Sequence, residues 1–260
     1  MKISIAQIEP IKGDINRNIH KHIAFINKAI SNKAKVIIFP ELSLTGYEPK
    51  LAKKLKTTAF DARLNVFQDL SDNNNIIIGV GLPTENNDKI FISMIIFQPN
   101  KERITYSKQY LYPTEYGVFT AGEIPLVISI DKDNILAPAI CYELSNEEHQ
   151  KYAYKNSATI YIASVLNSVN GVDADIEKLS TIACKYRMTT LMANFVGLSG
   201  GYECAGKSSI WDNEGSLIAQ LDKSTEGLLI YDTKLNEVIG IIDLETDISE
   251  IIEEFNQKKN

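Results

Sequence analysis

The sequence predicts a layered α/β domain, with helices covering the outer faces of buried strands. Three observations lead there. Short runs of Ile, Val and Phe alternate with helical patterns through the first third of the chain. The middle is richer in strand patterns, separated by turn residues. At 260 residues, 44% hydrophobic and 23% charged, the chain has an ordinary globular composition and can bury a large core without metal or disulfide support.

Residues 2–8 alternate as a strand does. Asp14 can cap a helix whose Ile15, Ile19, Ile23, Ile26 and Ile30 recur at helical spacing. Residues 35–39 are a short apolar run closed by Pro40, which reads as a buried strand ending in a loop. A helix is expected over 57–72 and a buried strand over 75–81. Residues 89–98 and 102–107 read as a hairpin around Pro99-Asn100-Lys101. Strands are expected at 124–130 and 134–140, the second running straight into Cys141. Ser145 with Glu148 is a capping-box pattern and predicts a helix from about 146. A strand at 158–164, a helix at about 173–189 and a strand at 190–196 follow. Strands near 208–211 and 216–221 flank the turn Asp212-Asn213-Glu214-Gly215. A strand at 227–232 and a polar, helix-like stretch at 245–257 come last. With no repeat or linker visible, one domain over 1–260 is expected, with 234–260 as a C-terminal tail. Periodicity leaves open a doubly wound sheet, a barrel or a sandwich of two sheets.

The net charge is −6, and Lys and Arg are scattered. There is no basic stripe for phosphates and no polybasic segment for an anionic surface, so neither nucleic acid nor membrane is expected as a partner. No apolar run approaches the roughly 18–20 residues that span a bilayer. The chain opens on a strand pattern, without a signal-peptide core. Three cysteines without regular spacing, Cys141, Cys184 and Cys204, point to a reducing cytoplasm and not to a disulfide framework or metal site. His20, His22 and His149 lie on expected helices without metal-like spacing and read as surface residues. No metal or cofactor is expected.

Taken singly, the reactive residues look ordinary. A cysteine at a strand end is commonly a small buried hydrophobe. Lys108 reads as a solvated charge, and Glu41 or Glu115 as a loop cap. Position changes this. In α/β sheets reactive groups collect just past the carboxyl ends of strands, and Glu41, Lys108 and Cys141 each follow one. The helix expected after Ser145 would turn its positive end toward Cys141, favouring a thiolate and a developing oxyanion. No His lies close to Cys141 in sequence. Cys184 reads as core, and Cys204, in a Gly-rich loop, as a candidate for a pocket mouth. Asn194, Gly206 and Ser208 read as structural.

Several segments, in order, resemble the carbon–nitrogen hydrolase (nitrilase) superfamily. Phe39-Pro40-Glu41-Leu42-Ser43-Leu44-Thr45-Gly46-Tyr47 looks like its glutamate motif. Tyr106-Ser107-Lys108-Gln109-Tyr110-Leu111-Tyr112-Pro113 is similar to its lysine motif, followed by Glu115 and Phe119-Thr120-Ala121-Gly122. Ala139-Ile140-Cys141-Tyr142-Glu143 looks like its cysteine motif. The motifs fall in the family's order, separated by about 67 and 33 residues. Downstream, 193–197 and 206–212 also fit, so the resemblance runs from about 2 to 233. It implies a four-layer α-β-β-α sandwich that pairs into homodimers through outer helices. It implies Glu41 as general base, Cys141 as nucleophile forming a thioester, and Lys108 with the Tyr142 N–H as the oxyanion site. Glu115 would position substrate or Lys108, and Tyr47, Tyr116 and Tyr142 would meet the substrate.

Two departures bear on substrate placement. Many members follow the cysteine motif with Asp, Arg and Phe-Pro-Glu, where this chain has Glu143-Leu144-Ser145-Asn146-Glu147. Many amidases also carry an aromatic residue where it reads 164–170. The leading expectation is an amidase releasing ammonia from a small linear amide or carbamoyl compound, with water as co-substrate. Lys108 is the only obvious cation beside the site, which favours a neutral or weakly polar acyl group, with Arg187 and Lys207 as the other candidates. Nitrile hydrolysis is the alternative. A thiol redox protein using Cys141, with Cys184 or Cys204 resolving, and a non-catalytic binding protein are the competing classes.

Overall fold

A computed structural model describes residues 1–242. The chain opens with β1 (Lys2–Gln7), α1 (Ile15–Ser31), β2 (Val36–Ile38), the single turn α2 (Ala52–Leu55) and α3 (Asn65–Asn74). β3 (Ile77–Asn86), β4 (Lys89–Phe97) and β5 (Ile104–Ser107) follow. Next come β6 (Ile128–Ser129), β7 (Ile135–Ile140), α4 (Glu147–Lys155), β8 (Ile160–Ser164), α5 (Val172–Tyr186) and β9 (Thr189–Ala193). After the small hairpin β10 (Leu198–Ser199) and β11 (Tyr202–Glu203) lie β12 (Ser209–Trp211), β13 (Leu217–Gln220), β14 (Gly227–Asp232) and β15 (Glu237–Ile242). The first sheet has seven strands in the order β15-β14-β1-β2-β3-β4-β5, and the second has six, β13-β12-β9-β8-β7-β6.

Residue alternation explains the layers. In β2, Val36 and Ile38 enter the core between the sheets, while Ile37 and Phe39 face α1 and α3. In β8, Ile160 and Ile162 enter the same inter-sheet core, while Tyr161 and Ala163 pack under α4 and α5. Period-two side chains on two-sided strands therefore demand cover on both faces, and the result is α-β-β-α. Each buried Ile contributes roughly 1.5–3 kcal/mol. Asp14 caps α1 by accepting from the Arg17 N–H at 3.0 Å, as its position predicts. The Ser164 hydroxyl donates to the Phe39 carbonyl at 2.7 Å and ties the two sheets together at one end.

Several boundaries differ from expectation. Thr57 pairs with Thr84 and Asp61 caps a tight turn over Ala62–Leu64, so the helix expected over 57–72 starts at Asn65. The strand expected at 124–130 shrinks to Ile128–Ser129, since Pro125 has no N–H to offer a ladder. Asn146, not Ser145, caps α4, and a 3₁₀ turn over Cys141–Ser145 precedes it. The expected tail begins instead as the edge strand β15, registered from Asp232↔Glu237 to Gly227↔Ile242. The stretch 245–257 lies outside the described residues.

His22 and His149, expected at the surface, are buried at 0% and 6% exposure, each held by a hydrogen bond at both ring nitrogens. Cys184, expected in the core, is exposed on the outer side of α5. Asn194 is structural: it accepts from the Asn167 N–H and donates to the Gly206 carbonyl. No helix among the described residues is long and apolar enough to cross a membrane.

Candidate active site

β1, β2 and β3 run parallel, as do β7, β8 and β9. Their carboxyl ends meet at one edge of the two sheets, where loops carry the reactive groups. After β2, Pro40 turns the chain and Glu41 follows. The loop is stitched to β3: Phe39 N–H donates to Gly79 O at 3.0 Å and Leu44 N–H to Gly81 O at 2.9 Å. Gly81 is required here, because a Cβ would stand 2.3 Å from the Leu42 nitrogen. Its own N–H donates to the Ser43 hydroxyl at 3.1 Å.

β5 is antiparallel to β4, which is antiparallel to β3, so β5 ends at the same edge as β2. Lys108 follows it directly, fully buried. Its Nζ lies 2.8 Å from Glu41 Oε1 and 2.8 Å from Glu115 Oε1. One ammonium thus serves two buried carboxylates. Glu115 is further held by the Tyr47 hydroxyl at 2.9 Å and the Tyr112 N–H at 2.7 Å.

Burial pushes the Glu41 carboxyl up to about 6; Lys108 pulls it down, Glu115 adds to the rise, and the neighbouring Cys141 thiol favours its charged form. For Lys108, burial works against the charge. The carboxylate of Glu41, with Cys141 and Glu115, outweighs it and raises the ammonium above its ordinary value.

Cys141 follows β7 and starts the 3₁₀ turn in a left-handed backbone, φ 46°. That conformation is costly for a residue with a side chain and presents the thiol at a sharp strand-to-turn corner. Burial and the Glu41 carboxylate push the thiol well above its ordinary value. The resting group is therefore a neutral thiol and not the thiolate expected from a helix end, and α4 begins only at Glu147. A base must take its proton, and Glu41 is the carboxyl beside it.

These groups open into a cavity of about 330 Å³ lined by Glu41, Glu115, Cys141, Tyr47, Tyr112, Tyr142, Tyr202, Leu166, Asn167, Ser168, Asp175 and Lys178, among others. Of the tyrosines assigned to substrate from sequence, Tyr47 and Tyr142 line it. Tyr116 is 64% exposed and lies outside. Tyr110 packs edge-on against His149, and Phe119 belongs to the inter-sheet core. Lys207 pairs with Asp173 and Arg187 with Glu214, and neither lines the cavity.

One cation does line the wall. Lys178, on α5, is 2.8 Å from Asp175 and 3.0 Å from the Ser145 hydroxyl. Sequence reading missed it, along with Tyr112, Tyr202 and Asp175. The only signal was the helical spacing of 175 and 178, which puts both on one face. Cys204 is buried beside Ser168 and does not line the cavity. A larger groove of about 630 Å³, walled by Phe60, Phe91 and Ile124, holds none of Glu41, Glu115 and Cys141. Among the described residues no group of three or more His, Cys, Asp or Glu is placed to hold a metal.

Fold and site together define an α/β protein of two stacked sheets, with a thiol and a buried carboxyl facing one cavity. Residues 2–242 match the carbon-nitrogen hydrolase family, and the chain belongs to it: it is an enzyme acting on carbon–nitrogen bonds. The hydrolase in agr operon of Staphylococcus aureus is 24% identical over 243 residues, covering 92% of this chain and 93% of that protein. The glutamine-dependent NAD(+) synthetase of Aquifex aeolicus is 26% identical over 251 residues, and this chain spans 43% of its length. The amidase from Nesterenkonia sp. AN1, with acrylamide added at its active-site cysteine, shares the fold at a TM-score of 0.80 and 23% identity, over 89% of this chain and 92% of that one. The same amidase with butyramide bound gives a TM-score of 0.79 at 21% identity, over 99% and 96%.

Proposed function

We propose that this protein is an amidase that releases ammonia from a small linear amide or carbamoyl compound through a thioester on Cys141. One observation carries the reading: the buried Lys108 ammonium lies 2.8 Å from both Glu41 and Glu115, the two carboxyls that line one cavity with Cys141. Glu41 takes the thiol proton as sulfur bonds to the amide carbon. Lys108 and the Tyr142 N–H hold the oxyanion. Collapse breaks the C–N bond, and Glu41 returns the proton to the departing ammonia. Water then enters, gives a proton to Glu41 and attacks the thioester. The acid leaves and the thiol is restored, with no cofactor required. Glu115 fixes Lys108, and Tyr47 fixes Glu115. Lys178 is already paired with Asp175, which keeps a small neutral or weakly polar acyl group the favoured fit.

Cys141→Ala tests this. Turnover of short amides should fall below about one per cent while the fold is retained. Wild-type protein incubated with amides should gain an acyl mass on Cys141. A sulfenate or disulfide there would favour the redox reading instead.

A homodimer through the outer helices belongs to the proposal. Tyr154 on α4 is 57% exposed and lies against Tyr186 of α5. Met188, just past α5, is fully buried and cannot contribute. Sedimentation at micromolar concentration showing monomer alone would remove the dimer. Three free thiols support a cytoplasmic setting.

A further inference from the structure

Glu143 is fully buried two residues after Cys141. Its two oxygens do different things. Oε1 accepts from the Gln109 N–H at 2.6 Å, and Oε2 from the Ile140 N–H at 2.6 Å. Gln109 follows Lys108, and Ile140 precedes Cys141. β5 is an edge strand of the first sheet and β7 lies in the second, so no strand pairing joins them. The carboxylate spans that gap between the backbone beside the cation and the backbone beside the thiol.

Behind it runs a chain of hydrogen bonds. The Tyr106 hydroxyl is 2.9 Å from both Glu143 oxygens and 2.8 Å from His149 Nε2. His149 Nδ1 is 2.8 Å from the Tyr161 hydroxyl. Burial lowers the imidazole to about 4, so it is neutral. One assignment then satisfies every group: Tyr161 donates to Nδ1, Nε2–H donates to Tyr106, and Tyr106 donates to Glu143. Once ionised, as pH rises above about 7, Glu143 is an acceptor throughout. An apolar side chain would fill this space without the cost of burying a carboxylate, which pushes Glu143 up to about 7.

We propose that Glu143 is a positioning residue whose carboxylate sets the separation of the Lys108 ammonium and the Cys141 thiol by holding the backbone beside each. The inference rests on Cys141 being the nucleophile. Glu143→Gln keeps the shape but turns an NH₂ toward one of the two backbone N–H groups, so one link breaks. Glu143→Asp is one methylene short of reaching both. Small misplacements of reacting groups cost about 10- to 100-fold in rate.

The test is alkylation of the full chain by iodoacetamide, followed by mass spectrometry, with exposed Cys184 as internal reference. In the wild type, Cys141 should react faster than Cys184 because Glu41 takes its proton as sulfur attacks; if it does not, the nucleophile reading itself fails. In Glu143→Gln and Glu143→Asp the Cys141 rate should fall about 10- to 100-fold with the Cys184 rate unchanged. An unchanged Cys141 rate in folded Glu143→Gln overturns the positioning role and leaves the nucleophile standing. If neither variant folds, proton NMR of the wild type decides. The Gln109 and Ile140 amide protons should lie far downfield and exchange slowly, and ordinary positions with fast exchange overturn the proposal.

Discussion

Nε2 of His22 lies 2.9 Å from the hydroxyl oxygen of Ser43, two residues beyond Glu41. His22 Nδ1 faces the Asn18 carbonyl at 2.7 Å, and a carbonyl only accepts, so Nδ1 carries the hydrogen. Nε2 therefore accepts from Ser43, whose oxygen accepts in turn from Gly81. Burial lowers the ring to about 3, keeping a second cation away from Glu41. His22→Leu should strand the Ser43 hydroxyl, costing about 1–3 kcal/mol for the unsatisfied group. Urea unfolding should show that loss, and ammonia release should fall as the Glu41 loop loosens. Wild-type stability would refute the role.

Lys108 offers the sharpest charge test. Lys108→Met leaves Glu41 and Glu115 buried without their counter-ion, a change that typically costs about 3–5 kcal/mol. Lys108→Arg keeps a charge and should fold in better yield, but its planar fork cannot place one compact ammonium between two carboxylates. Both variants should lose nearly all turnover. Near-normal activity in Lys108→Arg would remove Lys108 from the oxyanion site.

The raised Glu41 carboxyl fixes a pH response. As the base it must be ionised, so kcat/KM should climb as pH rises through about 6. Stability runs the other way. Buried Glu41 and Glu143 hold protons in the folded chain that the unfolded chain releases near 4.5. Their contribution is fully present below that pH and is lost as pH rises through about 6 and about 7 respectively. Denaturation curves across pH 4–8, paired with rate profiles, check both slopes. A flat rate from 5 to 7 would exclude Glu41 as the base.

The gathering of Glu41, Lys108 and Cys141 at one sheet edge was legible because each stands just past a strand end. Layering was legible too, since β2 and β8 are apolar on both faces. What stayed hidden were partners supplied from afar. His22 and His149 look like polar helix residues until Ser43, Tyr106 and Tyr161 fold against them. Lys178 reads as a surface charge until α5 lays its first turns along the cavity. The edge strand β15 begins with Glu237 after polar residues, and only its pairing with β14 distinguishes it from a tail.

Substrate choice is the fourth expectation. Short amides and N-carbamoyl amines should release ammonia faster than matched nitriles. A nitrile must pass through a thioimidate that needs an extra nitrogen protonation, while an amide needs one leaving-group proton, which Glu41 carries. Lys178→Ala should change KM for acyl chains ending in a carboxylate more than for neutral ones, leaving kcat for short amides nearly unchanged. The parallel screen uses Cys141→Ala as blank. A nitrile outpacing its amide would promote nitrile hydrolysis.

Glu41 and Lys108 come from one sheet and Cys141 from the other, so neither half of the protein owns a reactive centre. Thiol chemistry is consequently a clock for the docking of the halves during folding. Refolding followed by circular dichroism should report strands and helices early, while the fast iodoacetamide reaction of Cys141 should return only when the inter-sheet core closes. A compact intermediate with full secondary structure would be chemically silent. Simultaneous recovery of both signals would mean that the halves never form apart.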